Sequence, residues 1–339
     1  MRRREFAAAV IGACVAGITP GCKRRESSAA AARLVVSARP NLYMAPFYLA
    51  QERGYFRESG LSLELQPLDE GYQTATLLAG GKLDIAFSAL TPSMISAIAS
   101  GAELRIVAGC HRLAQDCSDT GRLWGNRASF PHGISSLAML KQHLKGRRIG
   151  LNSLNTTNGY YLHVLLEKAG LAERDVTIVQ VRYSEAVTAV VNGKLDAFMS
   201  ADQFSAQRIA DSPRLTAGVG LVEILPGFQY RFVSFGKKLL HGEPAVGARF
   251  LRAYHRGVAD FRAGQTPRFL DEFARSNALD LDRARSSCRA NNPQDGAIDD
   301  QSIASLARWY FSKGYCPREL GVAEIVDRRF LDLLAKGGA

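Results

Sequence analysis

Short apolar runs alternate with segments that carry helix boundaries along the first third of the chain. Leu61, Leu63 and Leu65 alternate with polar residues, which predicts a half-buried strand. A Thr-Pro pair at 91–92 is typical of a helix start, and Gly101 of a helix end. Strands are thus predicted at 34–37, 61–65, 84–87 and 104–108, with helices at 46–53, 73–79 and 92–100. The βαβαβαβ order predicts a mostly parallel sheet covered by helices.

The same pattern returns in the middle of the chain. Both series contain Gly-Lys-Leu-Asp between a helix end and a buried strand, at Gly81–Asp84 and Gly193–Asp196. The shared fragment predicts two similarly built α/β lobes; the alternative is a chance turn, because glycine ends many helices. Beyond about residue 240, apolar residues recur at helical spacing, which predicts a helical C-terminal region. The second series has predicted strands at 147–151, 176–181 and 196–199 and predicted helices at 158–168 and 184–191.

Residues 1–21 have the layout of an export signal. Three arginines precede the apolar stretch Phe6–Ile18, and small residues follow up to Cys22. The four residues ending at Cys22 resemble a bacterial lipobox, whose cysteine carries acyl chains that hold a protein at a membrane. Cys14 is an alternative lipidation site. An ordinary secretory signal with two incidental cysteines is the alternative to a lipoprotein signal. The export route can be general-secretory or twin-arginine. We expect an exported protein at the periplasm or cell surface, anchored by lipid, with 22–32 as a tether.

Composition and charge narrow the function classes. Of the 339 residues, 47% are hydrophobic and 22% are charged, which excludes a disordered, collagen-like or polytopic membrane protein. The net charge of +11 is compatible with an anionic partner. However, the lysines and arginines are scattered and no basic run exceeds three residues, so we expect no nucleic-acid partner.

The six cysteines agree with export. Cys110 and Cys117 lie in one polar loop, and Cys288 and Cys316 flank another polar stretch, so we predict disulfides Cys110–Cys117 and Cys288–Cys316. The alternative is four free thiols, which a cytosolic location would favour. The sequence has no His-Glu-x-x-His motif and no Cys-x-x-Cys pair, so we predict neither a metal site nor a cofactor.

Five segments together resemble a known family: Pro40–Ala50, Glu52–Phe56, Leu78–Phe87, Leu144–Gly150 and Gly193–Phe198. Over about residues 33–265 they resemble the NMT1/THI5-like and sulfonate-, taurine- and nitrate-type solute-binding proteins. The resemblance implies an α/β, type II periplasmic-binding-protein fold, with two lobes around a ligand cleft and a helical C-terminal extension. It also implies delivery of the ligand to the permease and ATPase of an ABC importer. The expected divisions are lobe 1 at 33–125, lobe 2 at 126–227, and the return strand and C-terminal helices at 228–339.

The ligand site can be placed by the rule that ligands lie beyond the carboxyl ends of parallel strands. The turn 152–158 leads directly into a helix, so its N–H groups, hydroxyls and amides are predicted to hold an anion; plain N-capping is the alternative. Tyr43 is the predicted opposite wall. Alternatives to ligand contact are a solvated strand residue for Arg182 and a helix cap for Asp202. The candidate residues are Asn41, Tyr43, Met44, Ser88 and Thr91 in lobe 1, and Asn152, Asn155, Thr156, Thr157, Asn158, Arg182, Tyr183 and Asp202 in lobe 2.

Three function classes follow from these observations. The leading hypothesis is a monomeric binding protein without chemistry, which closes on a small anionic or zwitterionic organic solute that is sulfonate-, nitrate- or pyrimidine-like. The second is an enzyme on the same scaffold, since relatives of the resembled family include a pyrimidine synthase and a desulfinase. The third is a membrane-tethered ligand sensor. The first cleft loop, 39–44, has neither cysteine nor histidine, and the cysteine-rich run of the synthase is absent, so we predict no enzyme.

Overall fold

The first lobe is built on a five-stranded sheet. Its strands are β1 (Ala32–Ser37), β2 (Leu61–Gln66), β3 (Ile85–Ala89), β4 (Leu104–Arg112) and β10 (Gln229–Gly236). They lie in the order β2-β1-β3-β10-β4. β1 runs parallel to β2 and β3, whereas β10 is antiparallel to β3 and β4. The sheet therefore has a parallel core and one strand that returns from the second lobe.

The second lobe repeats this arrangement. Its strands are β5 (Arg122–Asn126), β6 (Arg148–Leu151), β7 (Thr177–Gln180), β8 (Ala197–Ser200) and β9 (Leu215–Gly220), in the order β7-β6-β8-β5-β9. β6 is parallel to β7 and β8, and β5 is antiparallel to β8 and β9. The expected two-lobed α/β fold is confirmed. The chain changes lobe before Arg122, so the expected boundary at 125/126, inside β5, lies a few residues too late.

Helices cover both sheets. In chain order they are α1 (Ala45–Glu52), α2 (Tyr55–Glu58), α3 (Gln73–Ala79), α4 (Pro92–Ala99), α5 (Leu137–Leu144), α6 (Thr157–Lys168), α7 (Tyr183–Val191), α8 (Leu221–Ile224), α9 (Pro244–Arg262), α10 (Phe269–Ser276), α11 (Leu281–Arg285), α12 (Asp300–Ser312), α13 (Val322–Ile325) and α14 (Arg329–Lys336). Proline stands in the first turn of α1, α4 and α9, where its missing N–H costs no hydrogen bond.

This computed structural model describes residues 31–37, 41–68, 73–115, 117, 121–200, 212–276, 280–285 and 289–336. The predicted export signal, Cys22, Asp202 and Cys288 lie outside the described residues. Within those ranges, no helix is long and apolar enough to cross a membrane.

The repeated Gly-Lys-Leu-Asp fragment has the same structural role in both lobes. The Asp84 carboxylate accepts a hydrogen bond from the backbone N–H of Val35 on β1 at 2.9 Å, and Asp84 N–H donates to the Val35 carbonyl. In the second lobe, Asp196 makes the same pair of bonds with Arg148 on β6, at 2.8 and 2.9 Å. Each aspartate therefore joins two parallel strands at their starting edge. The repeat reflects shared construction, as the sequence predicted.

The C-terminal helices complete both lobes. α9 packs closely on α1, where a Cβ at Gly257 would lie 2.3 Å from the Pro46 carbonyl oxygen, so only glycine permits this approach. α12 contacts both lobes: Tyr310 donates to the Leu90 carbonyl at 3.1 Å, and the Trp309 ring lies 5.5 Å from the ring of Tyr160 on α6. The helical extension thus braces the two sheets.

The cysteines differ from the prediction. Cys110 and Cys316 are buried free thiols, whereas Cys117 is disulfide-bonded. The predicted pairs Cys110–Cys117 and Cys288–Cys316 are therefore wrong. The reason is that β4 continues through the segment interpreted as a loop and places Cys110 in the core, 3.5 Å from the hydroxyl of Tyr254. The partner of Cys117 lies outside the described residues.

Candidate functional site

An arginine lies at the carboxyl edge of the first sheet. Arg231 on β10 is in register with Ala89, the last residue of β3, and with His111, near the end of β4. Because β1, β2 and β3 are parallel, the segment after β1, which contains Tyr43, reaches the same edge. The topology therefore brings residues from three separate parts of the chain to one place.

Aromatic rings surround this arginine. The guanidinium carbon of Arg231 lies 3.7 Å from the ring centroid of Tyr43 and 5.8 Å from that of Tyr230. The His111 ring is 6.0 Å from Tyr43 and 5.4 Å from Tyr230. Tyr161 of α6, in the second lobe, reaches Tyr230 at a ring distance of 6.2 Å. We call these five residues the arginine–tyrosine cluster; it draws on both lobes and so lies in the cleft between them.

Three polar atoms at the cluster are buried without a hydrogen-bond partner among the described residues. They are Nε of Arg231, Nδ1 of His111 and Oδ1 of Asn41. None of the ion pairs of the described residues includes Arg231. Buried polar groups are nearly always paired, and a buried charge without a counter-ion is costly. A negatively charged ligand would supply the counter-charge that the described residues do not give Arg231.

Electrostatics make Arg231 the one cation of the cluster. Burial, and then the positive charge of Arg231, lowers the pKa of His111 to about 3, so its imidazole is neutral at physiological pH. Burial raises the pKa of the neighbouring Cys110 thiol to about 11. The Cys110–His111 pair thus holds a protonated thiol and a neutral imidazole.

The turn at the start of α6 is hydrogen-bonded within itself. Thr156 is the N-cap and accepts from the N–H of Asn158 at 3.3 Å. The Asn158 side-chain amide donates to Oδ1 of Asn152 at 2.7 Å, and the Ser153 hydroxyl donates to Oδ1 of Asn155 at 2.7 Å. The side chains here therefore serve the turn and the cap.

The other candidate residues differ in burial and in hydrogen bonding. Thr91 caps α4, accepting from the N–H of Met94 at 3.3 Å. Thr157 is buried, with its hydroxyl beside that of Tyr310. Met44 is 1% exposed and packs in the core below Tyr43, so its side chain does not reach the cleft. Ser88 is buried on β3, and Arg182 is exposed at the start of α7. The Tyr183 side chain and Asp202 lie outside the described residues.

Of the candidate residues predicted from the sequence, Tyr43 belongs to the arginine–tyrosine cluster and Asn41 lies two residues before it. Arg231, His111, Tyr161 and Tyr230 were not among the predicted residues. One signal was available. Arg231 is the single charged residue of the return strand, whose residues are mostly buried, and a charge there needs a specific reason. That its partner would be Tyr43 could not be read from spacing.

A separate cavity of about 1140 Å³ lies beside the second crossover, between 224–229 and 293–299. Part of its polar lining is paired: the Gln229 amide donates to the Ala297 carbonyl and accepts from the Asp299 N–H. Arg112 and Lys168, which also line it, form no ion pair with a described residue. Among the described residues, no group of three or more His, Cys, Asp or Glu side chains is placed to hold a metal ion.

Comparison with known proteins adds relatives. The model of the NMT1-like family matches residues 28–217. A 4-amino-5-hydroxymethyl-2-methylpyrimidine phosphate synthase from Aspergillus parasiticus is 25% identical over 169 residues, which is 50% of this chain and 45% of the synthase. The chain thus spans less than half of that relative. A Bacillus subtilis (strain 168) protein, named as an aliphatic sulfonates-binding protein, is 24% identical over 301 residues. The match covers 85% of this chain and 84% of that protein.

A solved structure shares the fold. The periplasmic aliphatic sulphonate binding protein SsuA from Escherichia coli superposes with a TM-score of 0.69 at 15% identity. The match covers 87% of this chain and 92% of SsuA. At this identity the likeness concerns the two-lobed fold and its cleft.

Proposed function

The chain belongs to the NMT1-like family, and from this premise we propose that it is an extracytoplasmic solute-binding protein that delivers a small organic anion to an ABC importer. The relative and the solved structure that match most of the chain both carry names for sulfonate binding. The permease and ATPase of the importer, the monomeric state and a lipid anchor at Cys22 are parts of the same proposal.

The observation that carries the proposal is the uncompensated charge of Arg231. Its guanidinium is stacked on Tyr43, its Nε has no acceptor among the described residues, and the nearby histidine is neutral. A sulfonate, carboxylate or phosphate would supply both the counter-charge and the acceptor oxygens. Oδ1 of Asn41 and Nδ1 of His111 have no hydrogen-bond donor among the described residues. A ligand that also donates a hydrogen bond, such as a zwitterion, would pair with them.

Binding is proposed to close the two lobes by a hinge motion at the crossovers that lead into β5 and β10. The first lobe contributes Arg231 and Tyr43. The second lobe contributes Tyr161 and the N-terminal end of α6, where the helix dipole adds roughly 0.3–1 kcal/mol for an anion. A closed state is favoured only with ligand, because only the ligand neutralises Arg231.

No chemical step is part of the proposal. A nucleophile or base would need to lie near the bound anion, and the Cys110 thiol is protonated and packed in the core. Covalent conversion of a bound ligand would favour the enzyme alternative, to which the partial match to the synthase points.

Calorimetry with a panel of methanesulfonate, taurine, nitrate and a pyrimidine phosphate tests the proposal. Arg231→Gln removes two charge-assisted hydrogen bonds of about 1.5–3 kcal/mol each, so affinity for the best ligand should fall by about 100-fold or more. The control is Arg182→Gln, which removes an exposed cation of the second lobe and should change affinity less than about threefold. Equal affinity of wild type and Arg231→Gln would refute this site, and turnover of the ligand, followed by NMR, would refute a pure binding function.

A further inference from the structure

The edge of the second sheet opposite the ligand cleft carries an unusual set of charges. β6, β7, β8 and β9 all start at this edge, and the antiparallel β5 ends there, as the pairings Arg148 with Thr177 and Asn126 with Leu215 show. Each of these strand ends is flanked by an exposed arginine or lysine. We call this set the basic edge: Arg127, Lys145, Arg148, Arg174, Lys194 and Arg214.

Few acidic groups offset the basic edge. Three carboxylates lie close in the chain to these strand ends: Glu173, Asp175 and Asp196. Glu173 pairs with Lys313 at 2.7 Å, Asp175 accepts from a backbone N–H at 2.8 Å, and Asp196 is buried against β6. Only Arg148 of the six cations forms an ion pair with a described residue, with Asp196 at 3.1 Å. The edge therefore presents a net positive charge to solvent.

The first lobe supplies an internal comparison, because its sheet has the same topology. At its equivalent edge Arg33 pairs with Glu64 and Lys238 with Asp84 at 3.4 Å, whereas the exposed Lys82 and Lys237 form no ion pair with a described residue. Five of the six cations of the basic edge are without such a pair. The two lobes therefore differ in the amount of positive charge that this edge leaves unpaired among the described residues.

We propose that the basic edge docks on the surface of a bilayer that contains anionic phospholipids. That the protein lies beside a membrane rests on the proposed function, whereas the charge pattern is read from the structure. The six cations lie along one sheet edge, as contact with a charged plane requires. The edge lies at the opposite end of the strands from the arginine–tyrosine cluster, so docking leaves the cleft open to its ligand.

Vesicle co-sedimentation tests the proposal. The full chain is used with Cys14→Ala and Cys22→Ala, so that no acyl chain contributes to binding. Vesicles of phosphatidylcholine with phosphatidylglycerol are compared with phosphatidylcholine alone, without solute, at low salt and at about 0.5 M salt. Binding should require phosphatidylglycerol and should be lost at high salt, because exposed charges are screened over a few ångströms there.

Two matched triple variants locate the contact. One variant removes three cations of the basic edge by Lys145→Gln, Arg174→Gln and Lys194→Gln. Each lost cation should lower the partition coefficient onto the vesicles about fivefold, so the triple variant should lose on the order of a hundredfold. The control removes the same charge from the first lobe by Arg57→Gln, Lys82→Gln and Lys237→Gln, and should change partitioning less than about threefold. Lys82 and Lys194 occupy the same position of the repeat, which makes the comparison close.

Three results would overturn the proposal: wild-type binding that ignores phosphatidylglycerol, equal losses in the two triple variants, or tighter binding to a DNA duplex that depends on the same three residues. Circular dichroism checks that both variants fold. Since no solute is present, the outcome does not depend on whether the cleft binds an anion.

Discussion

Replacing Asp196 by asparagine should cost the second lobe much more stability than the same change at Asp84 costs the first. One oxygen of Asp196 accepts from the backbone N–H of Arg148 at 2.8 Å and from its Nε at 3.1 Å. The other oxygen accepts from the Ser129 hydroxyl at 2.9 Å. An asparagine has one acceptor oxygen and its NH2 group only donates, so one set of these bonds is lost.

The magnitude follows from these contacts. Hydrogen bonds to a charged group contribute about 1.5–3 kcal/mol and neutral ones about 0.5–1.5 kcal/mol. Losing one charged bond and weakening a second predicts that Asp196→Asn lowers the free energy of unfolding by about 2–4 kcal/mol. In Asp84→Asn, the amide oxygen can keep the Val35 N–H bond, and the substitution removes the ion pair with the half-exposed Lys238 at 3.4 Å. That change should cost about 1 kcal/mol or less.

Urea unfolding followed by circular dichroism measures both variants. Burial raises the pKa of Asp196, but the hydrogen bonds from Arg148 and Ser129 outweigh it and hold this pKa below its ordinary value. A lowered folded-state pKa means that the stabilisation is complete above the unfolded pKa of about 3.9 and is lost as the pH falls through the folded value. The gap between wild type and Asp196→Asn should therefore shrink below about pH 4. Equal costs for the two variants, or a gap that does not depend on pH, would refute the reasoning.

Three further predictions concern the cysteines and the site. The chain just after Cys288 lies against the segment before Cys117, because Oδ1 of Asn291 accepts from the Ala114 N–H at 3.0 Å. Non-reducing peptide mapping should therefore link Cys117 to Cys288. A link from Cys117 to another cysteine would contradict this prediction. Affinity for a sulfonate, measured by calorimetry, should be constant between about pH 8 and pH 5, because the pKa of His111 is about 3; a step near pH 6.5 would show an accessible imidazole. Cys22→Ala should move the exported protein from the detergent phase to the soluble fraction, and unchanged partitioning would exclude lipid at Cys22.

Local patterns were enough to predict the elements of the fold. The strand at Leu61–Gln66 follows from alternation, and α4 follows from Thr91 and Pro92, which act within one turn of the helix start. The capping alternative for the turn before α6 was also correct for Thr156, because a cap depends on the residues next to it in the chain. The two Gly-Lys-Leu-Asp fragments predicted two similar lobes, since each aspartate binds the neighbouring strand in the same way.

The pairing of distant residues could not be predicted in this way. Cys110 was assigned to a loop because polar residues follow it, whereas β4 extends past it and buries its thiol beside Tyr254. Arg231 meets Tyr43 only because β10 returns from the second lobe and inserts between β3 and β4. Strand order of this kind depends on long-range pairing and not on local propensity.

The sequence by itself therefore determined the element order, the two-lobed plan and the caps, because periodicity and turn chemistry act over a few residues. The tertiary structure alone decided which charges matter. The order of the strands placed Arg231 in the cleft without an ion pair to any described residue. The scattered cations between Arg127 and Arg214 became one edge because parallel strands start together. Charge acts through distance in space, and distance in space is set by the register of the sheet and not by position in the chain.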